Sequence, residues 1–150
     1  MSMFAGIENA KTSSAGNYIR PGTHVLQIHE LKGTQSRKGE TLFIIDDAEV
    51  LDSIAGVDMQ GEPVAPHRVG ENVSVVWNVT KHDAALGNIK QFMSAVANCD
   101  PDDVDQAGVL AAVSAQQPFR GTKVRCQATA TTTKDGRPFT KLHFYHHAAE

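Results

Sequence analysis

The feature that most constrains the fold is a change of hydrophobic period near the middle of the chain. In Asn72–Thr80, just before this point, apolar and polar residues alternate, so that Val73, Val75, Trp77 and Val79 share one face of a predicted strand. From residue 86 to residue 97 the apolar residues recur at intervals of three and four, which is the period of an amphipathic helix. Alternation then returns in the last third of the chain. The pattern therefore predicts β-strands on both sides of a central helical region.

Turn residues divide the alternating regions into five predicted strands. Their bounds are Thr23–Lys32, Thr41–Leu51, Asn72–Thr80, Thr122–Thr131 and Phe139–Tyr145. A second helix is expected to begin at Asp100-Pro101, because Asp favours the N-cap and Pro the first helical position. We expect Thr80 and Asp83 to form a capping pair before the first helix. The result is a mainly β fold with one or two helices: a five-stranded, OB-fold-like Greek-key barrel with a helix between strands 3 and 4.

The bulk composition indicates one domain. The chain has 150 residues, of which 41% are hydrophobic, enough for a core. We expect a flexible arm over residues 1–20 and a single OB-fold-like domain over residues 21–147. No apolar run reaches the length of a membrane span and no secretory signal is recognised, so no membrane partner is expected. Two cysteines, Cys99 and Cys126, do not form a disulfide framework, which favours a cytoplasmic location.

Charge is distributed unevenly along the chain. The formal net charge is −3, which argues against a wholly basic, non-specific DNA binder. Residues 120–141 nevertheless contain six Lys or Arg against one acid, whereas residues 46–62 contain six acids and no Lys or Arg. Ordinary solvated faces remain the alternative interpretation of both stretches. The basic stretch is the better candidate for binding a polyanion.

A short element occurs twice, each time between two predicted strands. Thr34–Gly39 and Thr131–Gly136 both contain hydroxyl residues, then a cation, then Gly at the turn. The Asp135-Gly136 pair predicts a two-residue turn in which both central residues have positive φ. In an OB-fold these would be the loops that flank the oligonucleotide-binding face. We expect the second tip to contribute more, because it belongs to the basic stretch.

The candidate binding residues combine cations, which would contact phosphates, with flat side chains, which would stack on bases. The cations at the tips are Arg37, Lys38, Lys134 and Arg137. The outward residues of the last two strands are Lys123, Arg125, Lys141, His143 and Tyr145. Tyr145 is the favoured stacking residue. Phe43 and Trp77 are further candidates, with burial in the core as the alternative for both, and Phe139 is assigned to packing beside a turn.

Four short motifs resemble a group of small bacteriophage proteins, the OB-fold single-stranded DNA-binding proteins. The similarity covers about residues 16–146, and its motifs are Tyr18-x-x-Pro21-Gly22, Ser36-Arg37-Lys38-Gly39, Gly87-Asn88-Ile89-Lys90-x-Phe92 and Lys134-x-Gly136-x-Pro138-Phe139. The resemblance implies non-sequence-specific binding and protection of single-stranded DNA during phage DNA replication or recombination, in the host cytoplasm. It also implies phage or host replication and recombination proteins as partners. Homo-oligomerisation through an edge strand stays open.

One departure from cellular single-stranded DNA-binding proteins bears on partners. In those proteins a folded core is followed by a tail that ends in acidic residues, whereas this chain ends His146-His147-Ala148-Ala149-Glu150. We therefore do not expect partner recruitment by such a tail.

Other classes of function are less well supported. The sequence has no phosphate-binding loop, nucleophile elbow or His-Glu-x-x-His motif, so we expect neither an enzyme nor a cofactor. In His143-x-x-His146-His147 the middle His points away from the other two on a strand, so no metal site is expected. The main alternative is an OB adaptor that binds protein, or a structural phage protein, without DNA binding.

Overall fold

The structure is a computed structural model that describes residues 18–133 and 135–147. Its strands are β1 (Gly22–Gln35), β2 (Thr41–Ala55), β3 (Asn72–Asn78), β4 (Lys123–Thr132) and β5 (Pro138–His146). Its helices are α1 (Ala84–Ala97), a 3-10 turn (Pro101–Asp103) and α2 (Gln106–Ala112). The predicted order of strands and helices is therefore confirmed. No helix in the described part of the chain is long and apolar enough to span a membrane.

The strands form one antiparallel, open sheet in the order β3-β2-β1-β4-β5. The two edge strands are joined by aromatic packing rather than by a ladder. The Trp77 ring of β3 lies 6.0 Å from that of Phe144 on β5, and Phe92 of α1 lies 5.0 Å from Phe144. Helix α1 thus covers the open side of a curved, barrel-like sheet.

The core lies between the inner sheet face and α1. Leu26 and Ile28 of β1, Val124 and Cys126 of β4, and Phe92 of α1 are all fully buried. For β4 this face is the one that the alternating pattern predicts. Ile19, which we assigned to the arm, is also buried, so the folded part begins before residue 21.

Strand β2 changes its inward register at a bulge between Ile45 and Ala48. Phe43 and Ile45 point into the core before the bulge, and Ala48 and Val50 do so after it. The extra residue leaves the side chains of Asp46 and Asp47 partly exposed, although Asp47 Oδ1 is itself buried and accepts no hydrogen bond from the described residues.

Two glutamine side chains replace missing strand neighbours. The Gln117 amide accepts from Leu31 N at 2.8 Å and donates to Leu31 O at 2.7 Å, beyond the point where β4 leaves β1. The Gln91 amide of α1 accepts from Phe144 N at 2.8 Å and donates to Phe144 O. Each amide therefore gives a hydrogen-bond partner to both the N–H and the C=O of a buried residue. Without these partners the two buried backbone groups would destabilise the fold.

The helical region differs from the prediction in two places. Asp83 precedes α1 but makes no side-chain capping bond, and the Thr80 hydroxyl accepts from Thr41 N at 2.8 Å instead, so the predicted capping pair is wrong. Asp100 does cap the turn that begins at Pro101. The predicted second helix then breaks, and α2 starts anew with Asp105 as its N-cap.

A buried polar network joins the start of β1 to the β2–β3 loop. His24 contacts Ser53 Oγ and Arg20 O, both at 2.8 Å, and His67 contacts Glu71 Oε2 at 2.8 Å. The Arg20 N–H donates to His67 Nε2 at 3.0 Å. Burial lowers the pKa of His24, because the imidazolium form loses its hydration there. The ring of His24 is therefore fixed as a neutral structural group.

Candidate nucleic-acid interface

The outer surface of β4 and β5 carries exposed cations in alternation with the core residues. Lys123, Arg125 and Lys141 are exposed, while the intervening Val124 and Cys126 are fully buried. The sheet register brings Arg125 opposite Tyr145 and Thr129 opposite Lys141. We call the outward residues of these two strands the basic half of the outer sheet surface.

Strand β5 by itself presents a row in which two aromatic side chains stand on either side of two polar ones. Phe139, Lys141, His143 and Tyr145 are all exposed and share one face, with Phe144 on the other. Successive members of such a row lie about 7 Å apart. Phe139 is 50% exposed, so its assignment to packing is wrong. Its parity with Tyr145 is the signal that identifies it.

Tyr145 is held in place at the surface. Its hydroxyl donates to Gln127 Oε1 at 3.3 Å, and its ring centroid lies 4.6 Å from that of His143. The ring remains 44% exposed. An oriented, accessible ring loses little conformational freedom when a base stacks on it.

The neighbouring strands carry the opposite charge on the same surface. We call His29, Lys32, Asp46, Asp47 and Glu49 the acidic half. The Lys32 ammonium lies 3.1 Å from Asp46, and the nitrogens of His29 lie 3.6 and 3.4 Å from Asp47 and Glu49. The hydrogen bond that the Lys32 ammonium donates to Asp46 raises the pKa of Lys32. The Lys32 ammonium of this half is therefore already paired with a carboxylate.

The cations of the basic half have no such partners. Among the described residues, no carboxylate lies within 4.0 Å of the side-chain nitrogens of Lys123, Arg125 or Lys141. An unpaired, exposed cation can contact a phosphate without first breaking an ion pair. The exposed cations of the basic half can therefore contact an anion directly, whereas the carboxylates of the acidic half would repel it.

The two hairpin tips share one backbone arrangement. In the first, Ser36 N donates to Glu40 O at 2.8 Å and Gly39 N to Ser36 O at 2.9 Å. In the second, Thr133 N donates to Arg137 O and Gly136 N to Thr133 O, both at 2.9 Å.

In each tip a side-chain hydroxyl adds a further hydrogen bond: Glu40 N donates to Ser36 Oγ, and Arg137 N donates to Thr133 Oγ1, both at 3.2 Å. Gly39 and Gly136 have positive φ, 80° and 81°, and no other described residue of either tip does, Asp135 included, so the predicted two-residue turn is wrong. Each tip is a three-residue loop that ends in a left-handed Gly.

The tips differ in charge and in position. Arg37 and Lys38 are exposed at the first tip, whereas Arg137 at the second lies 3.3 Å from Asp135. Lys134, the other predicted cation there, lies outside the described residues. Because Gly22 pairs with Ala128, the second tip lies beyond the start of β1 and the first beyond its end.

Two of the predicted stacking residues face the core. Phe43 is 4% exposed, and its ring lies 5.9 Å from that of Trp77. Trp77 is partly buried and contacts Phe92 and Phe144 as well. Their hydrophobic rings close the barrel-like sheet, so we leave both out of the candidate interface. Cys126 also faces inward, and burial raises the pKa of its thiol to about 12, which keeps it protonated.

Comparison with known proteins gave no match to a protein-family model and none to a curated sequence.

Proposed function

We propose that this protein binds single-stranded DNA without sequence specificity and protects it during phage DNA replication or recombination, in the host cytoplasm. The observation that carries the proposal is the β5 row, in which Phe139 and Tyr145 flank Lys141 and His143. Beside it, β4 adds two further cations, Lys123 and Arg125. Cations that follow a phosphate backbone and rings that stack on bases are the two elements of a single-strand groove.

An OB-fold assignment supports the same proposal. The strand order, antiparallel pairing and helix between β3 and β4 agree with a five-stranded, partly open Greek-key barrel. In that fold the β1–β2 and β4–β5 loops and the face of strands 2 and 3 bind the oligonucleotide, so the fold supports a role for the tips, whereas the basic half on β4 and β5 rests on its own charges and rings. The two matched tips occupy these loops.

The spacing of the β5 row favours a single strand over a duplex. Phe139 and Tyr145 are six residues apart, which corresponds to roughly 20 Å along the strand. Bases within one strand of a duplex are about 3.4 Å apart and are stacked on one another. Rings so far apart can each stack on a base only if the bases are exposed and the nucleic-acid strand is extended.

The acidic half would orient the bound strand. Its carboxylates lie on β2, separated from β4 by β1 alone, and they repel phosphate. A polyanion is therefore confined to β4, β5 and the tips. This arrangement reconciles DNA binding with a net charge of −3.

The direct test is titration of a fluorescent oligo-dT at two salt concentrations. Each phosphate contact with a single strand contributes about −0.7 to the salt slope, so three cations predict a slope of about −2. Affinity should then fall roughly 20-fold between about 50 and 200 mM salt. No binding at the lower salt would overturn the proposal and favour a protein-binding role.

Matched single variants test where the strand lies. Lys141→Gln removes an unpaired cation of the basic half and should reduce the slope by about 0.7. Lys32→Gln removes a cation already paired with Asp46 and should leave affinity and slope unchanged. Equal effects of the two changes would show that binding is not located on the basic half.

A further inference from the structure

A single histidine anchors the β2–β3 loop, residues 56–71, all of which the structure describes. His67 is the only buried residue of this loop, and its side chain is fully buried. The Arg20 guanidinium also holds the loop, through Ala65 O and Pro66 O at 3.1 Å, but these hydrogen bonds are exposed to water. A segment with so few buried contacts opens at a low free-energy cost. The contacts of the His67 ring are therefore the main restraint on the loop.

The hydrogen bonds of His67 determine which ring nitrogen carries the proton. The backbone N–H of Arg20 donates to Nε2 at 3.0 Å, so Nε2 has no hydrogen of its own. The other nitrogen, Nδ1, lies 2.8 Å from Glu71 Oε2 and donates to it. A proton added at Nε2 would face the N–H of Arg20, which is a donor and cannot accept. The closed loop is therefore compatible only with the neutral ring.

The groups around the ring provide no acceptor for a second proton. His24 of β1 lies 5.0 Å from His67 between ring centroids, and the Ser53 hydroxyl of β2 accepts from the His67 backbone N–H at 2.9 Å. The Arg20 guanidinium, in the segment before β1, lies 3.9 Å from Glu71. The Glu71 carboxylate attracts positive charge, but it already accepts from Nδ1. Burial also lowers the pKa of His24, so the same interior disfavours a second imidazolium.

We infer that His67 is an acid-sensitive latch: its protonation at Nε2 breaks the bond from Arg20 and releases the β2–β3 loop. An imidazole in water takes up a proton near pH 6.5. The open loop can therefore bind a proton that the closed loop cannot, so opening becomes more favourable as the pH falls. Below about pH 6 the ratio of open to closed molecules should rise about tenfold per pH unit. The hydrophobic core cluster contains no residue of the loop, so the sheet should stay folded. The latch does not depend on DNA binding.

Hydrogen exchange of the full-length protein, measured over a series of pH values, tests the latch. The backbone amides of Arg20 and His67 are the reporters, because both donate within the latch. After correction for the intrinsic pH dependence of exchange, their protection should fall about tenfold per pH unit below about pH 6. The amides of β4 and β5 should keep their protection. Constant protection of the two reporters would overturn the inference, and so would an equal loss in the sheet, which would indicate global unfolding.

His67→Gln separates the titration of the ring from its hydrogen bonds. The glutamine amide can donate to Glu71 and accept from the Arg20 N–H, but it does not titrate, so the fall in protection should disappear. His82→Gln is the matched control, because His82 is exposed, and it should behave as the wild type does. A His67→Gln protein with the wild-type pH dependence would overturn the inference.

Nuclear magnetic resonance of the His67 ring nitrogens in the wild type gives a readout that needs no variant. Nε2 should gain its proton over the same pH range in which the Arg20 and His67 amides lose protection. A protonated ring in a loop that remains protected would show that His67 is not a latch.

Discussion

The basic and acidic halves occupy neighbouring strands of one surface, but they use their charges differently. In the acidic half the side-chain nitrogens of Lys32 and His29 lie within 4.0 Å of carboxylates on β2. In the basic half Lys123, Arg125 and Lys141 have no described acidic partner. On one side of the sheet surface the charged side chains therefore pair with one another. On the other side the Lys and Arg side chains can contact an anionic ligand without first breaking an ion pair. Under the proposed function, this difference predicts which side binds, whereas the net charge alone does not.

The largest expected effect comes from reversing two charges on β4. Lys123→Glu combined with Arg125→Glu should weaken oligo-dT binding about 100-fold or more, because a charged contact is worth roughly 1.5–3 kcal/mol. Both side chains are exposed, so the melting temperature should change little. Fluorescence titration at low salt measures the loss. Wild-type affinity in a folded double variant would remove the distinction between the halves.

The next effect concerns stability and compares the two glutamine amides. Gln117→Ala and Gln91→Ala each leave one buried N–H and one C=O without a partner, so each should cost about 2–4 kcal/mol in urea unfolding. Gln60→Ala, at an exposed loop position, is the control and should cost less than about 0.5 kcal/mol.

Gln91→Ala and Gln117→Ala should differ in their affinity for oligo-dT. Gln91 holds Phe144, which lies between His143 and Tyr145 in the β5 row. Gln117 holds Leu31, at the end of β1 where Lys32 follows. Only Gln91→Ala should therefore reduce affinity for oligo-dT. A loss from Gln117→Ala alone would contradict the assignment of the interface to β5.

A smaller effect is expected from the aromatic residues of the β5 row. Tyr145→Ala and Phe139→Ala should each cost about 1–3 kcal/mol of binding free energy, with an unchanged salt slope, because stacking releases no counterions. Tyr145→Phe keeps the ring and loses only the bond to Gln127, so it should bind almost as the wild type does. If Tyr145→Ala weakens binding and Phe139→Ala does not, the bound oligonucleotide does not extend to the second tip.

Much of the fold follows from alternation because alternation reports burial directly. The period-2 patterns of β4 and β5 assign Val124 and Phe144 to the core and Arg125 and Tyr145 to the surface, as observed. The same rule also places Phe139 outward. Phe139 is exposed although it adjoins a turn, because the parity of the strand sets the direction of its side chain.

The features that sequence patterns did not predict depend on contacts distant in the chain. Gln117 pairs with Leu31 across 86 residues, and no local pattern marks that amide as a strand substitute. The bulge after Ile45 shifts parity within a continuous strand, so Phe43 could not be assigned to the core or the surface beforehand. His24 and His67 meet only when the β2–β3 loop folds back.

The smallest effect tests whether the two tips are equivalent. Gly39→Ala and Gly136→Ala each force an L-residue into a left-handed conformation, which costs roughly 1–2 kcal/mol. Nothing lies within 4 Å of the added Cβ at either position, so no steric clash adds to this cost. Because the loops share their hydrogen bonds, the two losses in urea unfolding should agree within about 0.5 kcal/mol.

The same two glycine substitutions should differ in their effect on oligo-dT affinity, although they should destabilise the fold equally. The second tip adjoins β4 and β5, so a change in its geometry moves Arg137 relative to the basic half. The first tip adjoins β1 and β2, the strands of the acidic half. Gly136→Ala should therefore weaken oligo-dT binding more than Gly39→Ala does. If the reverse holds, the bound strand follows Arg37 and Lys38 instead, and the basic half is not the main contact.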